Sequence, residues 1–388
     1  MKGRYLNRRK FFTLLGAGGA ALAVNPALGP GFGNQQAKTK PSTNIKDALK
    51  TPRKPDSMPG KYPGKVIMVK NPNAVVNDEP AEAVAYLMIQ KAMLELTGQK
   101  SLKKAWRTFV KPGETIGLKV NPVAGKLLFT SHAVVKSIVK QLTESGIDTK
   151  DIVIWDRREM ELKDVGFNAD NYPGIKIRGT ELMDDTGAFY DKDGKLYGEN
   201  NIDKEWYYWA DVDGVYDGET MPYMVNGGKY SYFTKIITQE VDKIINIPVI
   251  KNAGSSVTVA MKNLAFGSVS NTGRLHAALW NDTCAEVCAF APIRDKVVLN
   301  IADGLRGCFN GGPGATPQFI CNYNTILASS DPVAMDRIAY DIIAAKRIAE
   351  GLQKIPAPEG LTFLKMASDL GLGVSEKEKI DLREFELT

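Results

Sequence analysis

From Lys65 onward, short β-branched runs alternate with longer stretches whose apolar residues recur at helical spacing. Lys65-Val66-Ile67-Met68-Val69 predicts a strand, and residues 81–96 (AEAVAYLMIQKAMLEL), followed by Thr97-Gly98, predict a helix and its stop. Thr115 to Val120 predicts a second strand ending in Asn121-Pro122, residues 132–142 an amphipathic helix, and residues 151–155 a third strand. This alternation predicts an α/β fold, a mostly parallel sheet flanked by helices with right-handed crossovers. Between about 175 and 240 the pattern changes. Tyr and Trp become dense (WYYW at 206–209), and Asp193-Gly194, Asp213-Gly214 and Gly227-Gly228 signal turns, which predicts a hairpin-rich antiparallel insertion. The α/β pattern resumes with strands near 243–247, 297–301 and 325–328, a helix near 257–265 and a long helix over 332–348. In such sheets ligands sit beyond the carboxyl ends of the strands.

The first 23 residues follow a different logic. Lys2, Arg4, Arg8, Arg9 and Lys10 precede a short apolar run, Phe11 to Val24, with no acidic residue, and Ala21-Leu22-Ala23 offers a small-residue cleavage site. Arg8-Arg9 before Lys10-Phe11-Phe12 resembles a twin-arginine export signal, so the export machinery is an expected partner and the periplasm, or another exported location, the expected destination. The run is too short to span a bilayer, and no membrane anchor is expected after cleavage. Gly16 to Ala21 imitates a dinucleotide fingerprint, but no strand precedes it. Residues 24–63, rich in Pro, Gly and Lys, read as a linker or wrapping arm, leaving 64–388 as a single α/β domain. The chain carries +6; without the five cations of the signal it carries about +1, which gives no electrostatic case for nucleic acid.

Candidate chemistry gathers at the predicted rim. Lys119 and Asn121 end one strand, Asp156-Arg157-Arg158 another and Asp303-Gly304 a third, while Lys251-Asn252 follow the apolar run Ile247 to Ile250. Ala253-Gly254-Ser255-Ser256 then precede a helix, either leaving its first N–H groups free for an anion or capping it. Lys262 and Asn263 lie inside that helix, and Arg274 and His276 follow. His276 is the better placed of only two histidines for proton transfer.

Four cysteines allow several readings. Cys284 and Cys288 are spaced to share a helix face, and Cys308 and Cys321 flank the glycine loop Gly311-Gly312-Pro313-Gly314. In an exported protein a Cys308–Cys321 disulfide comes first; free buried thiols, or a metal or iron-sulfur site on Cys284 and Cys288, are the alternatives. No Walker loop, HExxH or calcium loop is present beyond the signal.

Several landmarks in their order resemble the domain-of-unknown-function 362 family: Gly117-Leu118-Lys119-Val120-Asn121-Pro122, Thr130-Ser131-His132, Ile245 to Lys251, Met261-Lys262-Asn263-Leu264 with Gly267, Arg274 and His276, Ala302-Asp303-Gly304, Gly311-Gly312-Pro313-Gly314, and Ser330-Asp331-Pro332-Val333-Ala334-Met335-Asp336. Where relatives have Lys-Pro-Asn this chain has Lys119-Val120-Asn121, and Asn252 stands where a histidine is often found. Some relatives carry a ferredoxin-like cysteine cluster that this chain lacks. The resemblance brings no settled activity. It implies a common site that includes Lys119, Asn121, Lys251, Lys262, Asn263, His276, Asp303, Asp331 and Asp336. The chemistry of that cluster suits an anionic substrate, held by Lys119, Asn121, Lys251, Asn252, Asn263 and Arg274, with Lys262, His276 and Asp336 doing chemistry. Asp303 and Asp331 are candidate ligands for a divalent metal, although Asp331-Pro332 also matches an N-cap followed by N1. An enzyme acting on a small anion is the leading reading. A binding or accessory protein presenting Trp206 and Trp209 is the second, and a cysteine-ligated electron-transfer protein the third.

Overall fold

The computed structural model describes residues 40–388 except 214–222, 224–227, 255 and 356–358. The expected signal segment therefore lies outside the described residues. In chain order the strands are β1 (Lys65–Lys70), β2 (Val75–Val76), β3 (Glu79–Pro80), β4 (Ile116–Lys119), β5 (Ile152–Arg158), β6 (Lys176–Glu181) and β7 (Ile202–Trp209). They continue with β8 (Tyr230–Thr234), β9 (Lys243–Asn246), β10 (Val249–Ala253), β11 (Ser256–Thr258), β12 (Val297–Cys308), β13 (Ile320–Ser329) and β14 (Asp381–Glu386).

Ten strands form one sheet along the path β14-β1-β13-β12-β9-β4-β5-β6, with β10 beside β12 and β11 beside β10. From β12 through β9, β4 and β5 to β6 every pairing is parallel; β13 runs antiparallel to both β1 and β12. Alternation along each central strand explains how both faces are filled. Ile116 and Leu118, with Ile152 and Ile154, point to one face, against Met88, Ile89, Trp106 and Val134 from helices Glu82–Thr97, Leu102–Arg107 and His132–Glu144. Val153, Trp155 and Ile244 point to the other, against Leu264, Val287 and Ile338 from helices Ala260–Ser268, Trp280–Ala289 and Pro332–Ala349. The expected mostly parallel sheet flanked by helices is present.

The aromatic region divides differently from its sequence pattern. Its first segment, Lys176–Glu181, joins the main sheet as a parallel edge strand beside β5. β7 and β8 form a separate antiparallel ribbon, with the rings of Tyr207 and Tyr230 packed edge to face at 5.0 Å and those of Tyr230 and Tyr232 stacked at 5.8 Å. Residues 40–63 lie against the domain: Arg294 donates to the carbonyls of Thr51 and Pro52 at 3.1 and 2.9 Å, and Ala48 and Met58 are buried. No helix among the described residues is long and apolar enough to cross a membrane.

Candidate active site

Parallel register places Trp155, Lys119, Asn246 and Asn300 side by side across β5, β4, β9 and β12. Because paired residues on neighbouring strands project to the same face, this row is a strip of polar groups beneath helix Ala260–Ser268. The amides interlock. Asn263 Nδ2 donates to Asn246 Oδ1 at 2.8 Å, and Asn246 Nδ2 donates to Asn300 Oδ1 at 2.9 Å and to the Ala260 carbonyl at 3.2 Å. Asn263 Oδ1 accepts from Asn121 Nδ2 at 2.9 Å and from Lys119 Nζ at 3.2 Å. Every member is buried, so each bond fixes an amide that would otherwise be stranded away from water.

Above the strip opens a cavity of about 630 Å³. Five cationic side chains (Lys119, Arg157, Arg158, Lys251 and Lys262) and two carboxylates (Asp156 and Glu161) line it, together with Asn121, Asn263, Thr258, Phe266, His276 and the loop Gly311 to Thr316. Lys119 is satisfied: its ammonium pairs with Asp156 and donates to the Val120 carbonyl at 2.7 Å. A Cβ on Gly267 would meet the end of the Lys119 side chain, so any other residue there would have to displace the ammonium from its present position beside Asp156. Burial pushes the Lys119 ammonium down in pKa, and the Asp156 carboxylate opposes that push.

The other two lysines are held less fully. Lys251, wholly buried, donates to Asn121 Oδ1 at 2.8 Å; burial, reinforced by repulsion from Lys262, lowers its pKa to about 7. Lys262 is 5% exposed, and its ammonium has neither a hydrogen-bond nor an ion-pair partner among the described residues. It lies over the rings of Phe266 and Trp280, 5.3 and 5.9 Å from their centroids, and burial lowers its pKa to about 8. Four residues earlier, at the end of β11, the Thr258 hydroxyl is buried and has no hydrogen-bond partner among the described residues. Antiparallel pairing of β10 with β11 sets Thr258 beside Lys251.

His276 packs against Phe266 with ring centroids 4.3 Å apart and the planes tilted by 47°. Its Nδ1 lies 3.0 Å from the Thr272 carbonyl, which can only accept, so Nδ1 carries the hydrogen and Nε2 is left as an acceptor. Burial first, then the charges of Lys262 and Arg157, hold its pKa well below the usual histidine range. The ring is a neutral base.

Other expected site residues lie elsewhere. Arg274 donates to the carbonyls of Ala210 and Lys229 at 3.0 and 2.9 Å and to Ser231 Oγ at 2.9 Å, tying the β7–β8 ribbon to the body and not reaching the cavity. Asn252 Oδ1 accepts from Gly312 N at 2.7 Å and so positions the glycine loop without itself lining the cavity. Asp336 is not at the cavity either. It accepts from Ala260 N at 2.6 Å and Met261 N at 2.9 Å, occupying the start of the very helix whose first N–H groups were candidates for an anion. Ser256 belongs to β11, donating to the Gly360 carbonyl, and Ser255 lies outside the described residues.

The candidate metal ligands are likewise engaged. Asp303 accepts from Ser131 N and Leu305 N at 2.8 and 3.0 Å, and Asp331 accepts four backbone N–H groups, those of Gly64, Val333, Ala334 and Val374, at 2.9 to 3.0 Å. Among the described residues no group of three or more His, Cys, Asp or Glu is placed to hold a metal ion. All four cysteines are free. In the β12–β13 ladder Cys308 opposes Ile320 and Cys321 opposes Gly307. The one-residue offset directs the two side chains to opposite faces, so the expected disulfide does not form. Cys284 and Cys288 are fully buried, and burial drives both thiols away from the thiolate a metal needs, Cys284 well above its ordinary pKa.

Asn246, Asn300, Thr258, Phe266 and Glu161 escaped the sequence reading. Asn246 and Asn300 each interrupt an otherwise apolar strand run, Ile244 to Ile247 and Val297 to Ile301, which is the signal the sequence offers for them. A crystal structure of a Thermotoga maritima protein, solved as a structural-genomics target, is similar to the chain with 12% identity and a TM-score of 0.38. The match covers 71% of this chain and 60% of that one, so the chain spans less than two thirds of that structure's length. Compared with the curated proteins, the chain matches none. The family model described as a domain of unknown function (DUF362) matches residues 116–341, more than half of the chain and every cavity-lining lysine, asparagine and histidine named above, and the chain belongs to that family.

Proposed function

We propose that this is an exported protein that captures a small anionic substrate in the cavity and transforms it there, with His276 moving a proton. Export rests on the basic, acid-free N-terminal segment, with Arg8-Arg9 as its address. The observation that carries the rest is the Lys262 side chain, buried against two aromatic rings, whose ammonium has no partner among the described residues and lines a cavity where cations outnumber carboxylates. An isolated buried ammonium costs several kcal/mol of folding free energy, on the order of that for any unpaired interior ion, and an entering anion offsets that cost. Lys251 and Thr258 supply further donors, and the amide strip keeps Lys119, Asn121 and Asn263 from shifting when the ligand enters. Neutral His276, with Nε2 open, has the protonation state a general base needs.

Calorimetric titration of the purified chain with phosphate, sulfate and short carboxylates tests the binding step. At least one anion class should bind, and Lys262→Met should weaken it by roughly tenfold or more. Undiminished binding in Lys262→Met would remove the reading. The non-catalytic alternative is separated by His276→Gln, which should retain the anion and lose turnover; a capture protein would show no turnover to lose.

A further inference from the structure

We infer that Lys262 is a covalent nucleophile and that the substrate is a small 2-oxo carboxylate, joined to the Lys262 nitrogen as a Schiff base. This rests on the anion-capture reading and goes one step further. An ammonium meant only to attract an anion needs no shelter from every other partner. Lys262 has neither hydrogen bond nor ion pair among the described residues, lies against the faces of Phe266 and Trp280, and is flanked in the cavity by other cations. Apolar walls and neighbouring positive charge are the two devices by which a lysine is kept available as the free amine. Its lowered pKa, about 8, agrees with that geometry.

The surroundings divide the remaining work. Lys251 and the Thr258 hydroxyl, which has no hydrogen-bond partner among the described residues, lie side by side across β10 and β11 and supply donors for the carboxylate. His276 packs on the same Phe266 ring that Lys262 covers and presents Nε2 as acceptor. It takes one proton from the Lys262 ammonium; the freed amine lone pair adds to the 2-oxo carbon, the C=O π pair goes to the oxygen, and one of the two protons left on the nitrogen moves to that oxygen, giving the neutral carbinolamine. His276 then returns its proton to the hydroxyl of the carbinolamine, which departs as water as the C=N bond forms. Ammonium and carbonyl have become iminium and one water. Atoms and charge balance, and no external oxidant or reductant enters.

The full-length purified protein is incubated with glyoxylate, pyruvate or 2-oxoglutarate and sodium borohydride, then read by intact mass and peptide mapping. One reduced adduct per chain on Lys262 is expected, and none with lactate or succinate, which carry a carboxylate without the 2-oxo group. Lys262→Arg keeps a cation but not the nucleophile, and should lose the adduct while 2-oxo acids still bind in calorimetry. Should that variant fail to fold, Lys262→Met provides the same loss of adduct. An adduct on other lysines, or one unchanged in these variants, overturns the inference. Binding of 2-oxo acids without any adduct removes the covalent step and leaves anion capture standing. Absence of both binding and adduct removes both.

Discussion

The cavity and the seam where helix Pro332–Ala349 meets helix Ala260–Ser268 both bury charge, and they do so by opposite means. At the seam Asp331 accepts four backbone N–H groups and Asp336 accepts two, so each carboxylate joins separate chain segments. In the cavity Lys251 has a single side-chain acceptor, and Lys262 has none among the described residues. A buried charge saturated by backbone belongs to the architecture. One left open gives up stability that the fold would otherwise keep, as binding sites do.

The contrast is sharpest where the seam is cut. Asp331→Ala should destabilise the protein by about 3 kcal/mol, because several buried N–H groups lose their acceptor at once. Urea denaturation measures this, and anion affinity per folded molecule should not change; a parallel loss of affinity would show that the two regions are one unit. Lys262→Met should do the reverse, weakening capture by roughly tenfold or more while leaving stability unchanged or raised by about 1 kcal/mol, since a chain of similar volume replaces an unpaired charge. Unfolding of that variant would break the contrast.

Titration should separate the regions by sign. Asp331 and Asp336 hold protons more tightly when folded, at about 6 and about 7, than when unfolded, at about 3.9. Their contribution is present at low pH and lost as pH rises through those folded values. Lys251 and Lys262 hold protons less tightly when folded, at about 7 and about 8, than when unfolded, at about 10.4. Their contribution is present at high pH and lost as pH falls through those values. Urea midpoints should therefore show the parent losing ground to Asp336→Asn between about pH 4 and 7 and gaining on Lys251→Met between about pH 7 and 10. Smallest of all, dithiothreitol should leave the melting temperature in place, where loss of a native disulfide would remove about 2–5 kcal/mol.

Much of the frame was legible along the chain. The run over Glu82–Thr97, the amphipathic turns of His132–Glu144 and the Asp331-Pro332 start of the long helix each carry their own periodicity or cap. Lys119, Asn121, Lys251, Lys262, Asn263 and His276 do meet at one cavity, because strand ends in a parallel sheet share an edge. In sequence Asp303, Asn252 and Arg274 look like site residues because a polar residue near that edge looks alike whether it faces a ligand or a neighbouring backbone, and Asp331 and Asp336 join them only through the family landmark that contains them. Lys176–Glu181 reads in sequence as part of the insertion, since an edge strand carries little apolar alternation of its own.

The sequence by itself determined the α/β alternation and which strand ends would carry amine, amide and imidazole groups, since periodicity and strand termini are local properties. Tertiary structure alone decided which of those groups stay unsatisfied. Asn246 reaches Asn300 through parallel register, Asp336 reaches Ala260 across 76 residues, and Cys308 misses Cys321 by one position in an antiparallel ladder. Hydrogen-bond saturation depends on neighbours distant in sequence, and it is saturation that separates the aspartates of the seam from the lysines of the cavity.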